Sequence, residues 1–396
     1  MAADLTGALA RAGYAGRPVA VLDLDAVDHN LADLRRRAGA TPIRVASKSL
    51  RVHRLLEHCL ATDGFAGVLC FTLTEALWLA DRGHRDLVVG YPTTDIAGLR
   101  RLADDERARS AITLMVDSTD HLDLIDAAVP DHGELRIALE LDAAYAPARG
   151  VRFGALRSPV RTPAALVGLA QRVQGRAGFR VVGLMIYEAQ LAGVADVGTS
   201  AYRRAVRAMK QRSARELAGR RAAAVAAVGE VCDLEFVNGG GTGSLETTCA
   251  EPAVTEAAAG SGIVGPGLFD GYRAFRPRPA LHIGVPVVRR PAPGVVTLLG
   301  GGWVASGPPG RDRLPTIAWP PGVRYARDEA AGEVQTPLLG PATDDLSIGD
   351  TVWLRHAKAG EPAERVDEYL VVRRIDERLK VIDRWPTYRG EGLVTL

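Results

Sequence analysis

Short apolar runs alternate with amphipathic stretches over the first two-thirds of the chain. This alternation predicts βαβ units built on a parallel sheet. Eight runs are strand candidates, at residues 19–24, 43–46, 67–71, 86–89, 112–116, 135–141, 179–186 and 234–237, and a ninth lies near residues 263–264. About eight such units in ~250 residues is the size of a closed (β/α)8 barrel. We therefore predict an α/β fold of the TIM-barrel type, with an open doubly wound sheet as the alternative.

The last third of the chain has a different pattern. Residues 277–396 contain 14 of the 23 prolines, and short alternating runs replace the helical periodicity. Strand candidates there lie at residues 280–288, 295–299, 351–354, 368–373 and 379–383. These features predict a compact C-terminal β-domain. The predicted division is a barrel over residues 1–277 and a β-domain over residues 278–396, and the N-terminal strand is open to assignment to either.

Composition narrows the class of protein. The chain has 396 residues, of which 47% are hydrophobic and 24% charged, and a formal net charge of +2. This nearly neutral charge gives no overall electrostatic attraction to nucleic acid or to an anionic membrane. No apolar run approaches the ~20 residues of a membrane span. The cysteines form no CxxC pair, and the first residues show no basic-then-apolar leader. We therefore expect a cytoplasmic protein with reduced thiols and without nucleic-acid or membrane partners.

Lysine is scarce in this chain. Only four of the 49 basic residues are lysines, namely Lys48, Lys210, Lys358 and Lys380. An amine, unlike a guanidinium, can lose its proton near neutral pH and become a nucleophile or a base. Lysines retained in an arginine-rich chain are therefore candidates for chemistry. Lys210 lies in a basic, solvated helical stretch and Lys380 in a turn, so we assign structural positions to both.

Lys48 follows the second strand candidate, at residues 43–46. The carboxyl ends of barrel strands form the catalytic mouth of a βα barrel. We expect a lysine there to be partly desolvated, which lowers its pKa and favours the free amine. Such an amine can form a Schiff base with an aldehyde. A lysine that caps the strand by reaching for solvent is the alternative, and position alone does not separate the two.

Two glycine clusters follow the late strand candidates. The first contains Gly240, Gly241, Thr242 and Gly243, and the second contains Gly260, Ser261 and Gly262. Consecutive glycines let backbone N–H groups converge on one anion. Neither cluster has the lysine of a P-loop or the spacing of a dinucleotide fingerprint, but late loops of barrels often bind phosphate. A strand-end lysine and a phosphate site without a redox or nucleotide motif indicate pyridoxal 5′-phosphate.

The chain also resembles the fold-type III pyridoxal-phosphate enzymes, which include alanine racemases, D-threonine aldolases and D-serine dehydratases. The resemblance rests on residues 21–30 (VLDLDAVDHN), 45–48 (VASK), 140–142 (ELD), 152–154 (RFG) and 183–188 (GLMIYE), and on both glycine clusters. It implies that Lys48 carries the coenzyme and that the glycine clusters bind its phosphate. It further places Arg152, in preference to Arg149, near the phenolic oxygen of the coenzyme and Tyr187 against its ring. It also implies a homodimer.

Within this family, the D-threonine aldolase and D-serine dehydratase branch is the most similar. His356 and Lys358 occupy the positions at which that branch carries a His-x-Cys or His-x-Asp metal pair. A protonated ammonium is not a metal ligand, and it disfavours a divalent ion beside His356. His356 is therefore the only candidate metal ligand, and we do not expect a bound metal. The resemblance implies that Lys358 or His356 acts on the β-substituent of the substrate.

These features predict an enzyme whose small-molecule substrate is an amino acid. The resemblance to that branch favours aldol cleavage of β-hydroxy D-amino acids to glycine and an aldehyde, with dehydration or racemisation of amino acids as alternatives. A non-catalytic coenzyme carrier is disfavoured because such proteins are single barrels without a β-domain. A metal-dependent barrel hydrolase is disfavoured because none of the eight histidines forms an HxH pair.

Overall fold

The computed structural model describes residues 2–395, which form two compact units. The barrel unit comprises Leu34–Lys48 and His58–Gly260, and the sheet unit comprises the chain up to Asp33 together with Ser49–Glu57 and Ser261–Val394. The boundary in the second half of the chain lies after residue 260, whereas the sequence pattern placed it after residue 277. Segment 261–277 belongs to the sheet unit because its backbone pairs there, through the N–H of Gly267 to the carbonyl of His356 at 2.9 Å.

The strands in chain order are β1 (Val19–Asp23), β2 (Ile43–Ala46), β3 (Phe65–Cys70), β4 (Leu87–Val89), β5 (Ile112–Val116), β6 (Leu135–Glu140), β7 (Tyr145–Ala148), β8 (Val151–Phe153), β9 (Phe179–Ile186), β10 (Phe236–Gly239), β11 (Glu256–Ala259), β12 (Leu281–Ala292), β13 (Val295–Leu299), β14 (Thr316–Trp319), β15 (Arg324–Tyr325), β16 (Gln335–Leu339), β17 (Thr351–Arg355), β18 (Glu368–Ile375) and β19 (Arg378–Pro386).

The helices are α1 (Ala2–Arg11), α2 (Leu24–Ala38), α3 (His53–Leu60), α4 (Leu73–Asp81), α5 (Ile96–Asp104), α6 (Glu106–Ala111), α7 (Thr119–Ala128), α8 (Pro163–Gln174), α9 (Ala189–Ala192), α10 (Ala201–Gly229), α11 (Leu245–Thr248) and α12 (Ser261–Val264). Short 3-10 turns lie at Ser47–Ser49, Gly267–Gly271, Arg311–Arg313, Pro341–Thr343 and Glu361–Glu364. Among the helices of residues 2–395, none is long and apolar enough to cross a membrane.

The barrel unit is a closed parallel barrel with the strand order β10-β11-β2-β3-β4-β5-β6-β9. This confirms the predicted TIM-type fold. Its eighth strand, β11, is absent from the sequence prediction because Glu-Ala-Ala-Ala has low β propensity, although all four residues are buried. The ninth strand candidate, near residues 263–264, is instead part of helix α12.

The first predicted strand, β1, lies in the nine-stranded sheet of the sheet unit. It pairs antiparallel with β12 and parallel with β18, so that Val21 lies opposite both His282 and Leu370. Helix α1 covers this part of the sheet, where Leu5 and Leu9 pack with Val19, Val21 and Trp353 in one apolar cluster. The main path of the sheet is β15-β16-β13-β12-β1-β18-β19, and β17 pairs with both β12 and β14.

A buried ion pair crosses the barrel near the amino ends of its strands. Arg44 is 2% exposed and binds Glu256 through two hydrogen bonds, of 2.6 and 2.7 Å. Asn238 donates to the same carboxylate at 2.7 Å, and Asp86 accepts from Arg44 at 2.8 Å. Because the charged groups of Arg44 and Glu256 are hydrogen-bonded to each other, the barrel tolerates this ion pair in its interior. The carboxyl ends of the strands, at the opposite end of the barrel, are where a site is expected.

Candidate active site

Polar side chains gather at the carboxyl ends of the barrel strands. Lys48 follows β2, Tyr91 follows β4, Glu140 ends β6, and Tyr187 and Glu188 follow β9. The first glycine cluster begins where β10 ends, and Gly260 follows β11. Because all eight strands are parallel, these positions lie at the same end of the barrel.

Lys48 lies in the 3-10 turn Ser47–Ser49, directly after β2. The turn is held by the hydroxyl of Ser47, which donates to the carbonyl of Leu69 at 3.0 Å. The Nζ of Lys48 donates to the hydroxyl of Tyr91 at 2.6 Å. The side chain is exposed, so the desolvation expected from the sequence is not present. The amine is oriented by a hydrogen bond instead.

Arg157 lies against two tyrosine rings at this end of the barrel. Its guanidinium carbon is 5.5 Å from the ring centroid of Tyr91 and 5.3 Å from that of Tyr187. Cations at such distances are attracted to the negative face of an aromatic ring. Burial raises the pKa of Tyr187 to about 12, and Arg157 acts in the opposite direction. The neutral phenol of Tyr187 is therefore the stable form at neutral pH.

Arg152, the arginine selected from the sequence, has other partners. It donates to the Asp142 carboxylate at 2.6 Å and to the carbonyl of Ala155 at 2.8 Å. The hairpin of β7 and β8 lies between Glu140 and Arg157 and lengthens this loop. Arg152, the arginine predicted from the sequence, and Arg157 therefore make different contacts at this end of the barrel.

Glu140 is a second titratable group at the end of β6. Glu140 is 8% exposed. Burial raises the pKa of its carboxyl to about 7, whereas the charge of Arg157 lowers that pKa. The carboxylates of Asp117 and Asp142 raise that pKa further. A carboxyl with a pKa near 7 can exchange a proton at neutral pH. The sequence offered no signal for this, since the shift arises from tertiary burial.

The glycine loop after β10 does not present all of its amides to one point. The N–H of Gly240 donates to Glu188 at 3.2 Å, and the N–H of Gly241 donates to the hydroxyl of Ser244 at 3.2 Å. Within the described chain, the N–H of Gly243 has no protein acceptor. Arg37 donates to the carbonyl of Thr242 at 2.6 Å. An anion would therefore be bound by the second half of the loop, at Thr242 and Gly243.

Glycine is required at two of these positions for different reasons. Gly240 has a φ of +79°, which favours glycine. At Gly241 a side chain would place its Cβ 2.9 Å from the Cβ of Ala192 and 3.3 Å from the ring of Tyr187. The loop thus packs directly against the residues that follow β9.

The remaining predicted residues lie in the sheet unit. Ser261 and Gly262 begin helix α12. His356 is 2% exposed, and neither ring nitrogen has a hydrogen-bond partner in the described chain. Burial lowers the pKa of His356 to about 3, with a further contribution from Arg355. Lys358 donates from Nζ to the carbonyl and hydroxyl oxygens of Ser306, at 3.0 and 3.1 Å.

The sequence of this chain is similar to those of known proteins. The family model described as "Alanine racemase, N-terminal domain" matches residues 22–231, more than half of the chain. A 3-hydroxy-D-aspartate aldolase from Paracoccus denitrificans is 29% identical over 233 residues, which cover 57% of this chain and 54% of that protein. A D-threonine aldolase from Arthrobacter sp. is 28% identical over 290 residues, covering 71% of this chain and 70% of that protein. The chain therefore spans about half the length of the first of these relatives.

Solved structures give the same architecture. D-threonine aldolase from Filomicrobium marinum superposes with a TM-score of 0.77 at 22% identity, covering 95% of this chain and 98% of that one. D-threo-3-hydroxyaspartate dehydratase from Delftia sp. HT23 gives a TM-score of 0.69 at 18% identity, covering 93% and 97%. At these identities the likeness concerns the fold.

The eight parallel strands and their helices define a (β/α)8 barrel, and the chain also contains a sheet unit. The chain belongs to the alanine racemase N-terminal domain family. The resemblance stated from the sequence motifs is thereby confirmed. Four residues that the structure adds to the site are Tyr91, Glu140, Arg157 and Glu188, and the sequence singled out none of them as a functional residue.

Proposed function

We propose that this protein is a pyridoxal-phosphate-dependent aldolase that cleaves β-hydroxy D-amino acids to glycine and an aldehyde. The observation that carries the proposal is Lys48, whose amine is oriented by Tyr91 at the mouth of a barrel of this family. Relatives named D-threonine aldolase and 3-hydroxy-D-aspartate aldolase support the choice of reaction.

The residues present fit pyridoxal phosphate. The Lys48 amine is the attachment point, and Arg157 and Tyr187 would hold the coenzyme ring. Among residues 2–395, no acceptor binds the N–H of Gly243, which would bind the phosphate together with Thr242. The coenzyme supplies an electron sink for the bond broken at Cα. We retain Gly260, Ser261 and Gly262 as the second predicted phosphate cluster.

Aldol cleavage breaks the Cα–Cβ bond, removes the proton of the β-hydroxyl and delivers a proton to Cα. Lys358 is the better of the two predicted groups for the β-hydroxyl, because the low pKa of His356 makes that imidazole a weak base. As a cation, Lys358 would hydrogen-bond the β-oxygen, and as a neutral amine it would take the proton of the hydroxyl. Glu140, with a pKa near 7, can store a proton beside Arg157. Tyr91 holds the Lys48 amine through its hydroxyl oxygen.

The residues at His356 and Lys358 do not fit a divalent metal. The His356 ring offers unpartnered nitrogens, but Lys358 is a cation that donates its hydrogen bonds to Ser306. An ammonium repels a dication and supplies no lone pair while it is protonated.

The proposal is tested in two experiments. Borohydride reduction of the yellow holoprotein should fix the coenzyme mass on the peptide containing Lys48, and label on Lys358 would contradict this assignment. D-threonine, 3-hydroxy-D-aspartate and their L-isomers should then be supplied with separate detection of aldehyde, oxo acid and enantiomer. We expect glycine and aldehyde from the D-isomers. Oxo acid and ammonia would indicate a dehydratase, and the enantiomer a racemase.

We further propose that the protein is a cytoplasmic homodimer, as the family resemblance implies. The four cysteines are free thiols in the structure, which supports a reducing compartment. Light scattering on the purified protein measures the subunit number directly, and a monomeric mass would contradict the dimer.

A further inference from the structure

Glu188 is a fully buried carboxylate whose partners are all donors. It is 0% exposed and follows β9 by two residues. Its Oε2 accepts from the N–H of Gly240 at 3.2 Å and from Arg221 at 2.9 Å. Its Oε1 accepts from the hydroxyls of Ser244, at 3.0 Å, and Thr248. Four donors to one buried carboxylate satisfy it completely.

Three of these donors belong to the glycine loop and to the helix that follows it. Gly240 is the first residue of the loop, Ser244 closes it, and Thr248 ends α11. One side chain therefore fixes both ends of residues 240–244. The hydroxyl of Ser244 accepts from the N–H of Gly241 and donates to Glu188. Through Ser244, Glu188 therefore also positions the backbone amide of Gly241.

The other side of the loop is held by Arg37. This residue is 5% exposed, donates to the carbonyl of Thr242 and is itself paired with Glu246 at 2.6 Å. In a trans peptide the carbonyl and the following N–H point in opposite directions. Because the Thr242 carbonyl points at Arg37, the N–H of Gly243 points away from it.

A buried negative charge next to an anion site would repel the anion unless it were balanced. Arg221, 0% exposed, supplies the balancing charge, and it also donates to Glu251. In the part of the chain that the structure describes, no hydrogen bond joins the Glu251 carboxylate to residues 240–244. The two glutamates thus share one arginine but differ in their contact with the loop.

We propose that Glu188 is a positioning residue that presets the glycine loop to bind the coenzyme's phosphate through Thr242 and Gly243. The inference rests on the proposed function. A glutamine at position 188 would turn an amide N–H2 towards two of the four donors, and the loop would lose the geometry set by Gly240 and Ser244. The variant should therefore lose affinity for the phosphate of the coenzyme and keep its affinity for the pyridine ring.

The test compares Glu188→Gln with Glu251→Gln, because both remove a carboxylate from Arg221. Apoprotein is titrated with pyridoxal 5′-phosphate and, separately, with pyridoxal, which lacks the phosphate. We expect Glu188→Gln to raise the Kd for pyridoxal phosphate about tenfold or more, the scale of a lost hydrogen bond to a charged group. The Kd for pyridoxal should change less than about threefold. In Glu251→Gln the ratio of the two constants should stay that of the unaltered protein.

Hydrogen exchange of apoprotein peptides covering residues 239–248 gives a readout that needs no coenzyme. We expect faster exchange in Glu188→Gln but not in Glu251→Gln. If Glu188→Gln does not fold, Ser244→Ala replaces it, because it removes a donor to Glu188 and keeps the pair with Arg221. The same phosphate-selective loss should appear there.

Equal effects on both probes, or equal effects in the two glutamine variants, would overturn the inference while the proposed function stands. An unaltered protein that binds neither probe would overturn the proposed function, and this inference with it.

Discussion

The Nζ of Lys48 and the hydroxyl of Tyr91 are joined by a 2.6 Å hydrogen bond across the carboxyl ends of β2 and β4. The amine is exposed, so a hydrogen bond rather than burial fixes its direction. The same tyrosine ring contacts Arg157 on its face. Tyr91 therefore connects the two basic groups of the proposed coenzyme site.

Replacing Tyr91 by phenylalanine removes the hydroxyl and keeps the ring that contacts Arg157. We expect turnover to fall about tenfold, because a hydrogen bond to a charged group is lost, while coenzyme colour is retained. Steady-state kinetics with the substrate found in the screen measure this. Tyr202→Phe, at a tyrosine that is 67% exposed, is the control and should change nothing. Unchanged turnover in Tyr91→Phe would mean that the hydrogen bond is not used.

Two arginines five positions apart should give opposite phenotypes. Arg157→Ala removes the cation between Tyr91 and Tyr187, and we expect at least a tenfold loss of turnover or coenzyme affinity, on the scale of a charge-assisted contact. Arg152→Ala leaves the buried Asp142 carboxylate without its 2.6 Å partner, so we expect loss of stability instead. Activity assays and thermal unfolding of both variants separate the two effects. The reverse pattern would return the cofactor role to Arg152.

Glu140 makes the stability of the protein depend on pH. Its pKa rises from 4.5 to about 7 on folding, so between these values the folded state retains a proton that the unfolded chain releases. Stability should therefore fall as pH increases through this range and level off above pH 7. Glu140→Gln lacks this dependence. The difference in the free energy of unfolding between the two proteins should therefore change by on the order of 3 kcal/mol over this pH range.

Urea unfolding at about pH 5 and about pH 8 measures that difference. Glu106→Gln, at an exposed helical glutamate, serves as the control and should follow the unaltered protein. Parallel pH curves for Glu140→Gln and the unaltered protein would show that Glu140 has no raised pKa.

The buried pair of Arg44 and Glu256 predicts a non-additive effect on stability. Glu256→Gln leaves the Arg44 charge in the barrel without its main partner, and breaking such a pair costs about 3–5 kcal/mol. Replacing both residues, as in Arg44→Met with Glu256→Leu, removes both charges and should cost less than the sum of the single changes. Chemical denaturation of the two single variants and the double variant measures the coupling. Additive losses would contradict it.

The ammonium of Lys358 leads to a prediction about how the activity responds to chelators. The family resemblance places this ammonium at the position of a metal ligand, so we expect activity to survive treatment with a chelator. Lys358→Ala should lower turnover about 100-fold, the scale of an acid–base group, with coenzyme colour retained. Lys380→Ala, at the lysine near Asp376 on the sheet unit, is the control. Inactivation by the chelator and rescue by zinc or manganese would show that a metal acts in this protein.

Local pattern was sufficient for several features of this chain. Periodic apolar runs bounded by polar stretches predict the strands of the barrel, since burial on a parallel sheet selects continuous apolar residues. The scarcity of lysine and the position of Lys48 after a strand made this residue a candidate, and its role stays a prediction. The succession of short motifs was sufficient for the family, because motif order along the chain requires no knowledge of contacts.

Only the tertiary structure decided which residues meet. Lys48 and Tyr91 are 43 residues apart in the chain, Glu188 and Arg221 are 33 apart, and Glu188 and Gly240 are 52 apart. The placement of Arg157 over the rings of Tyr91 and Tyr187 depends on the fold of the loop after β6. The alanine-rich β11 is a strand because its neighbours β10 and β2 supply its hydrogen bonds. The pKa values of Glu140 and His356 also depend on what surrounds them after folding. Each of these properties arises from contacts between distant segments, which sequence spacing does not encode.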